Sequence, residues 1–291
     1  MKKFLGILLC ICFLPGLVLA KEEDPLAIYI RGQNLEDLQV ARAVQEGKKV
    51  EEIKEIQNSY YLIKENRTFL PLRSIGEELG FKVEWKQEEK EIPVIKGKDK
   101  VRMTLGSKIY WKNNEKKEMD VVPFVRNERT YLPIRFLGEA LDEKVEWDQE
   151  TKLVTIGAYQ DLTGKEKDGQ VVTEDLQRKG QGKVSYSYVL FDAYKKDILQ
   201  GKEREVLSFY DRKTKENSLE FPGWIGGFYL EKNPKQIPVP HLLLGKVPGG
   251  YLCFNFASDV QTDINKEALV KSYEKSREEV CEILTTVKIN K

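Results

Sequence analysis

The residues able to do chemistry in this chain of 291 are few: its one histidine is His241, and Cys253 follows twelve positions later. A Cys/His pair can work as thiol nucleophile and general base when the imidazole raises the thiolate fraction. The competing reading places His241 in the Pro-rich loop Pro238-Val239-Pro240-His241 and Cys253 as a buried strand thiol between Leu252 and Phe254. A single imidazole cannot supply the several nitrogen ligands of a copper site, and no other ligand cluster stands out, so neither metal nor cofactor is expected. The run 221–228 contains Gly223, Gly226 and Gly227 but lacks the Lys-Ser/Thr ending of a P-loop and the G-x-G-x-x-G spacing. Trp224, Phe228 and Tyr229 surround those glycines and are the candidates for a ligand-binding loop, against ordinary turn and core roles. With 47 Asp and Glu in the chain, no acidic pair marks itself out in an aromatic context as a glycosidase would require.

The elements that carry these residues begin with an export-like segment. MKKFLGILLCICFLPGLVLA places Lys2 and Lys3 before an apolar run, breaks at Pro15-Gly16 and ends on Ala20 ahead of Lys21-Glu22-Glu23-Asp24. That order is a signal peptide over residues 1–20 with cleavage after Ala20; the run is interrupted and marginal for a membrane anchor, which is the alternative. Cys10 and Cys12 lie too early in it to carry lipid. The mature chain is then expected without a membrane span, secreted or associated with the cell wall. Removing Lys2 and Lys3 takes the net charge from +1 to −1 (1 − 2), and a near-neutral surface argues against nucleic acid as a partner. Cys253 and Cys281 remain, either as one disulfide or as two buried thiols.

Aligned on itself at an offset of 62, the chain sets N66-R-T-F-L-P-L-R-S-I-G-E-E-L-G-F-K-V-E-W85 over E128-R-T-Y-L-P-I-R-F-L-G-E-A-L-D-E-K-V-E-W147, identical at twelve of twenty positions. Self-similarity of this kind means two copies of one supersecondary unit, over about 58–95 and 120–157. Each reads as a strand, a turn, a helix begun at Pro71 or Pro133 and a hairpin that starts with K-V-E-W. Leu72, Ile75 and Leu79 give the helix one apolar stripe and Gly80 a stop; Asp142 replaces that glycine in the second copy. Arg73 with Glu77, and Arg135 with Glu139, are spaced i, i+4, which suits helix-surface ion pairs; a ligand site is the alternative. Trp85 and Trp147 read as core residues under the helices, although they could stack on sugars.

The pattern R-T-[FY]-L-P-[LI]-R, G-E-x-L and K-V-E-W, with M103-T-L-G-S-K-I-Y-W111 and D120-V-V-P-F-V125 between the copies, resembles the copper amine oxidase N-terminal-like domain, or stalk domain. The resemblance implies an accessory α+β module frequent in exported proteins of Gram-positive bacteria, not oxidase chemistry. It covers residues 58–157. The charged stretch 34–56 departs from the family pattern and reads as one or two helices where a hairpin would be expected.

The expected fold class is therefore α+β: a stalk-like domain over 21–158, a Gly-rich, charged linker over 159–182, and a second α+β domain over 183–291. In the latter, residues 184–190 and 251–256 alternate as strands, 206–210 and 218–221 flank a hairpin turn, and Leu269, Tyr273, Val280, Leu284 and Val287 form a helix stripe broken at Ser276. The functional expectation is an exported, non-catalytic envelope protein whose partner is a cell-wall glycan or an envelope protein. The alternative is a secreted hydrolase with its site in 183–291.

Overall fold

The computed structural model describes residues 26–64, 67–157, 159, 168–178, 183–203 and 206–290. The signal segment, with Cys10 and Cys12, and parts of the expected linker lie outside them. Two compact units emerge: one of Leu26–Ile30 and Asn34–Gly157, the other of the described residues from 159 onward together with Arg31–Gln33.

The first unit opens with β1 (Ala27–Ile30) and β2 (Gln33–Asn34), then α1 (Leu35–Gln45) and α2 (Val50–Ser59). The charged stretch is thus two helices. Asn34 caps α1, its Oδ1 accepting the Glu36 N–H at 2.9 Å. The first sequence copy continues as β3 (Leu62–Lys64), β4 (Arg67–Pro71), α3 (Leu72–Glu78), β5 (Lys82–Val83) and β6 (Glu91–Lys96). The segment between copies forms β7 (Asp99–Thr104), β8 (Ile109–Lys112) and β9 (Glu115–Glu118). The second copy supplies β10 (Phe124–Arg126), β11 (Arg129–Pro133), α4 (Ile134–Leu141), β12 (Val145–Asp148) and β13 (Leu153–Ile156).

Pro71 and Pro133 sit one position earlier than expected, at the N-caps of α3 and α4, where their fixed φ of −66° and −60° suits the turn from strand into helix. Gly80 follows α3 at φ +81°, and Asp142 takes the same left-handed role after α4 at φ +56°. The strands leading into the two helices pair with each other. In the sheet β10-β11-β4-β3, β4 and β11 run antiparallel with Leu70 opposite Leu132 and Phe69 opposite Pro133. Two further sheets, β5-β6-β7-β8-β9 and β12-β13-β1-β2, carry the K-V-E-W hairpins at one edge. Leu70, Ile75, Leu79, Leu132, Leu137 and Val154 are part of one buried core; fully covering a leucine contributes about 2 kcal/mol.

The second unit begins with β14 (Gly169–Leu176), inside the stretch read as linker, and β15 (Val184–Phe191), paired along all eight residues. The linker expectation fails there because β14 is a polar, exposed strand with only Leu176 buried, so its composition imitates a connector. Next come β16 (Ile198–Glu203), β17 (Val206–Asp211), α5 (Arg212–Asn217), β18 (Trp224–Glu231), β19 (His241–Val247), β20 (Gly250–Phe256), α6 (Glu267–Leu284) and β21 (Lys288–Ile289). The expected hairpin between 206–210 and 218–221 is absent: β17 pairs instead with β16 and β18, and its chain turns into α5. The sheet order is β16-β17-β18-β20-β19, with β14-β15-β21 as a second sheet. Tyr273, Val280, Cys281 and Leu284 of α6 share one core with Phe209, Phe228 and Phe254 of the larger sheet. Ser276, the gap in the stripe, is fully buried because its hydroxyl donates to the Asp211 carboxylate at 2.8 Å.

Candidate functional site

His241 is the first residue of β19, not a loop residue, and its Nδ1 lies 3.0 Å from the carbonyl oxygen of Val239. Burial lowers the pKa of its ring, against the opposing pull of that carbonyl and Glu231. Cys253, opposite Leu243 on β20, is fully buried; burial first, and Glu231 second, push its thiol well above the ordinary range. Burial thus favours the neutral form of both groups, the opposite of the thiolate–imidazolium pair that a thiol hydrolase uses.

Cys253 and Cys281 are both free and buried, so the disulfide alternative does not hold. The pleat explains it. Leu252 and Phe254 face the core that contains Cys281, which turns the intervening Cys253 to the other side of its sheet. Burial also raises the Cys281 thiol, to about 12.

The loop expected at Trp224, Phe228 and Tyr229 is the strand β18. Phe228 has no exposed surface and packs edge-on to Phe254 (5.2 Å between centroids) and against Tyr186 (4.5 Å). Trp224 and Tyr229 are half-buried in the same strand. Gly226 is required by close approach: a Cβ there would stand 2.4 Å from the Phe254 ring and 2.5 Å from the Asn255 carbonyl oxygen. The glycines that suggested a binding loop therefore serve strand packing.

The first unit overturns two other expectations. Neither i, i+4 ion pair forms. Glu77 is bonded instead by Arg42 of α1 at 3.2 Å, and Arg42 also bonds Glu78, whose pKa burial raises despite that guanidinium. Arg73 and Arg135 are exposed and make no hydrogen bond or ion pair among the described residues. Nor are the tryptophans core: Trp85 is 40% and Trp147 50% exposed. Their indole N–H groups donate locally, to Gln87 Oε1 at 2.7 Å and Gln149 Oε1 at 2.9 Å. Trp111 on β8 is also 39% exposed, with the Arg102 guanidinium 5.9 Å from its ring centre.

Arg73 and Trp85 meet in one open cleft of about 650 Å³, whose walls include Arg42, Leu72, Ile92 and Arg129. It lies wholly within the first unit, where α1 and α2 flank α3. Arg73, in the first turn of α3, and Trp85, two residues beyond β5, had a signal in the sequence, since both recur at 135 and 147; only their exposure was illegible. The arrangement can bind through a planar cation and an aromatic face.

The chain is 27% identical over 146 residues to a "Protease inhibitor" of Brevibacillus choshinensis, an alignment that takes in 50% of this chain and 40% of that protein. This chain thus spans less than half the length of that relative. The family described as "Copper amine oxidase N-terminal domain" matches residues 47–156, which include the cleft-forming helix and both K-V-E-W segments. Residues 47–156 are therefore a copper amine oxidase N-terminal-like domain.

Proposed function

We propose that this is an exported, non-catalytic binding protein of the cell envelope, with the signal segment cleaved after Ala20 and the stalk-like unit as its principal binding surface. The unit is one domain built from two copies of a strand–helix–hairpin, and residues 183–291, extended by β14, form a second domain. The observation that carries the reading is the exposure of Trp85 and Trp147, at equivalent positions of the two sequence copies. An indole left open to water forfeits a large apolar area that a partner can cover, and Trp and Arg are the side chains enriched where binding energy concentrates. The test is co-sedimentation of the purified protein with isolated cell walls, alongside capture of envelope proteins. Pelleting with walls supports the proposal; a protein that neither pellets nor captures an envelope protein refutes it.

A second reading is a secreted protease inhibitor, favoured by the similarity to the Brevibacillus choshinensis protein. It predicts stoichiometric loss of activity when the protein is titrated into a secreted protease. Of the hydrolase alternative, with its site in residues 183–291, the form that uses His241 and Cys253 is disfavoured by their burial.

A further inference from the structure

A strand at the margin of a sheet leaves half of its main-chain groups unpaired, and two such margins reach the cleft of the first unit. β5 is outermost in β5-β6-β7-β8-β9, and β10 is outermost in β10-β11-β4-β3. The chain that continues β5 bonds its neighbour through alternate residues. The Glu84 N–H donates to the Pro93 carbonyl and the Lys86 N–H to the Glu91 carbonyl, each at 2.9 Å. Val83 and Trp85 alternate with these two, so their N–H and C=O groups point away from β6. β10 reaches β11 through a two-residue turn, Asn127 and Glu128, both left-handed at φ +47° and +59°. Arg126 and Arg129 flank that turn and form the bonded pair, which directs the main chain of Val125 outward. Val83, Trp85 and Val125 all line the cleft. No main-chain hydrogen bond crosses either margin at these three residues among the described residues.

We infer that the cleft takes an extended peptide segment as an added β-strand, bonded through its main chain to Val83 and Trp85 and to Val125. The inference rests on the envelope-binding reading above, in taking the first unit as the binding surface, and it makes the partner a polypeptide.

Three features select this occupant. Unpaired main-chain donors and acceptors are met in register by another main chain, and successive residues of an extended chain present theirs to opposite sides, as two margins on one cleft require. The lining holds four cations and four carboxylates, so it selects neither a polyanion nor a polycation, whereas a peptide backbone is neutral. The margin at β5 is also short, two residues in the strand itself, and the cleft beside it is walled by Gln39 and Ala43 of α1 and Ile56 of α2. A sheet from a second copy would need a long, accessible margin to pair with; a single extended chain needs only the cleft. Its side chains would cover Trp85 and Val125, which are 40% and 52% exposed.

The test pans the purified protein against a phage-displayed library of random peptides and measures binding of the recovered peptide, synthesised with a fluorescent label, by anisotropy. On binding, hydrogen exchange followed by NMR should slow about tenfold or more at the amides of Val83, Trp85 and Val125. N-methylation of alternate backbone amides of the peptide removes donors and keeps every side chain. It should weaken binding about tenfold in either phase, because one phase meets β5 and the other β10. Val125→Pro costs no ladder bond, since that N–H faces the open margin, and should weaken binding about tenfold; Val125→Thr keeps the N–H and should bind within about threefold. Circular dichroism verifies the fold of both variants, and the N-methylated peptides test the same bonds with the protein unaltered.

The inference is overturned if no peptide is recovered, if the peptide protects none of the three amides, if either N-methylated form binds as the parent does, or if Val125→Thr is as damaging as Val125→Pro. A dimer in sedimentation equilibrium that Val125→Pro dissolves also overturns it, because a second copy is then the occupant. Wall sedimentation separates the two levels. Peptide binding by a protein that neither pellets with walls nor captures an envelope protein removes the envelope reading alone, and pelleting with no peptide bound removes the added strand alone.

Discussion

Loss of the Asp211 side chain should destabilise the second unit through three hydrogen bonds at once. Asp211 ends β17, has no exposed surface and makes no ion pair among the described residues. Its Oδ2 accepts the Thr214 N–H at 2.7 Å and so caps α5, while its Oδ1 accepts the hydroxyls of Ser272 and Ser276, each at 2.8 Å, from α6. One carboxylate thus ties a strand end to two helices. In Asp211→Ala the lost cap costs about 1 kcal/mol, and two hydrogen bonds to a charged acceptor cost about 1.5 kcal/mol each. The sum of roughly 4 kcal/mol falls to about 3 because the Ser276 hydroxyl keeps the Asp197 carbonyl oxygen, 3.3 Å away, as a second acceptor. Asp211→Asn keeps one acceptor oxygen, and the serine hydroxyls can turn to accept from its amide, so about half of that loss is expected. Urea unfolding in a Trp85→Phe/Trp111→Phe/Trp147→Phe background checks this, since Trp224 is then the one remaining tryptophan of four and reports on the second unit alone. A loss under about 1 kcal/mol for the alanine variant, or equal losses for alanine and asparagine, would refute the account of a charged acceptor shared by three donors.

Three further outcomes follow from the geometry. Desolvation, and then the neighbouring Asp197, raise the carboxyl of Glu279 from 4.5 to about 7 against the opposing pull of Lys275. A carboxyl whose folded pKa is raised contributes stability that is complete below its unfolded pKa and lost as pH climbs through about 7, so the second unit should weaken between pH 5 and 8, and Glu279→Gln should flatten that slope in pH-dependent melts. Gly138→Ala should lower the melting temperature more than Gly76→Ala, because the added methyl meets the Glu143 carbonyl oxygen at 2.8 Å as well as a valine, whereas at Gly76 it meets only a valine methyl that can shift; overpacking of this kind costs about 1 to 3 kcal/mol. Peptide-mapped labelling with a thiol reagent at pH 8 should modify Cys253 and Cys281 only after denaturation, and reductant should leave the melt of the second unit unchanged.

The repeat made the helices α3 and α4 and the strands after them readable, because two aligned copies agree on Pro, Gly and the K-V-E-W run. The stripe of α6 was equally clear, and its break at Ser276 turned out to be the hydroxyl that Asp211 needs. What periodicity could not convey is which strands lie at an edge. Val83 and Trp85 alternate as a half-buried strand should, yet β5 ends at Val83, ahead of Trp85, and β12, which holds Trp147, is outermost in its sheet; Trp85 and Trp147 are 40% and 50% exposed. Likewise Pro222-Gly223 and Gly226-Gly227 look like punctuation, but only Gly223, at φ +67°, makes a turn. The glycines at 226 and 227 let β18 lie against the aromatic ring and carbonyl groups of its neighbours, a demand that comes from distant sequence. Position 253 failed for the same reason: a cysteine count shows that two thiols exist, and only the pleat shows that they face apart.

The register of β4 on β11 has one more consequence. Strands that meet antiparallel at equivalent residues, Leu70 on Leu132, are related by a local two-fold rotation, the geometry of an isologous homodimer seam. A single copy of the unit would carry an edge complementary to itself and would find its mate only by collision. Held on one polypeptide, the two halves meet at the high effective concentration of a short tether, so an association that would otherwise depend on protein concentration becomes part of folding. That independence from dilution suits the exported protein proposed above, which would work in a large external volume.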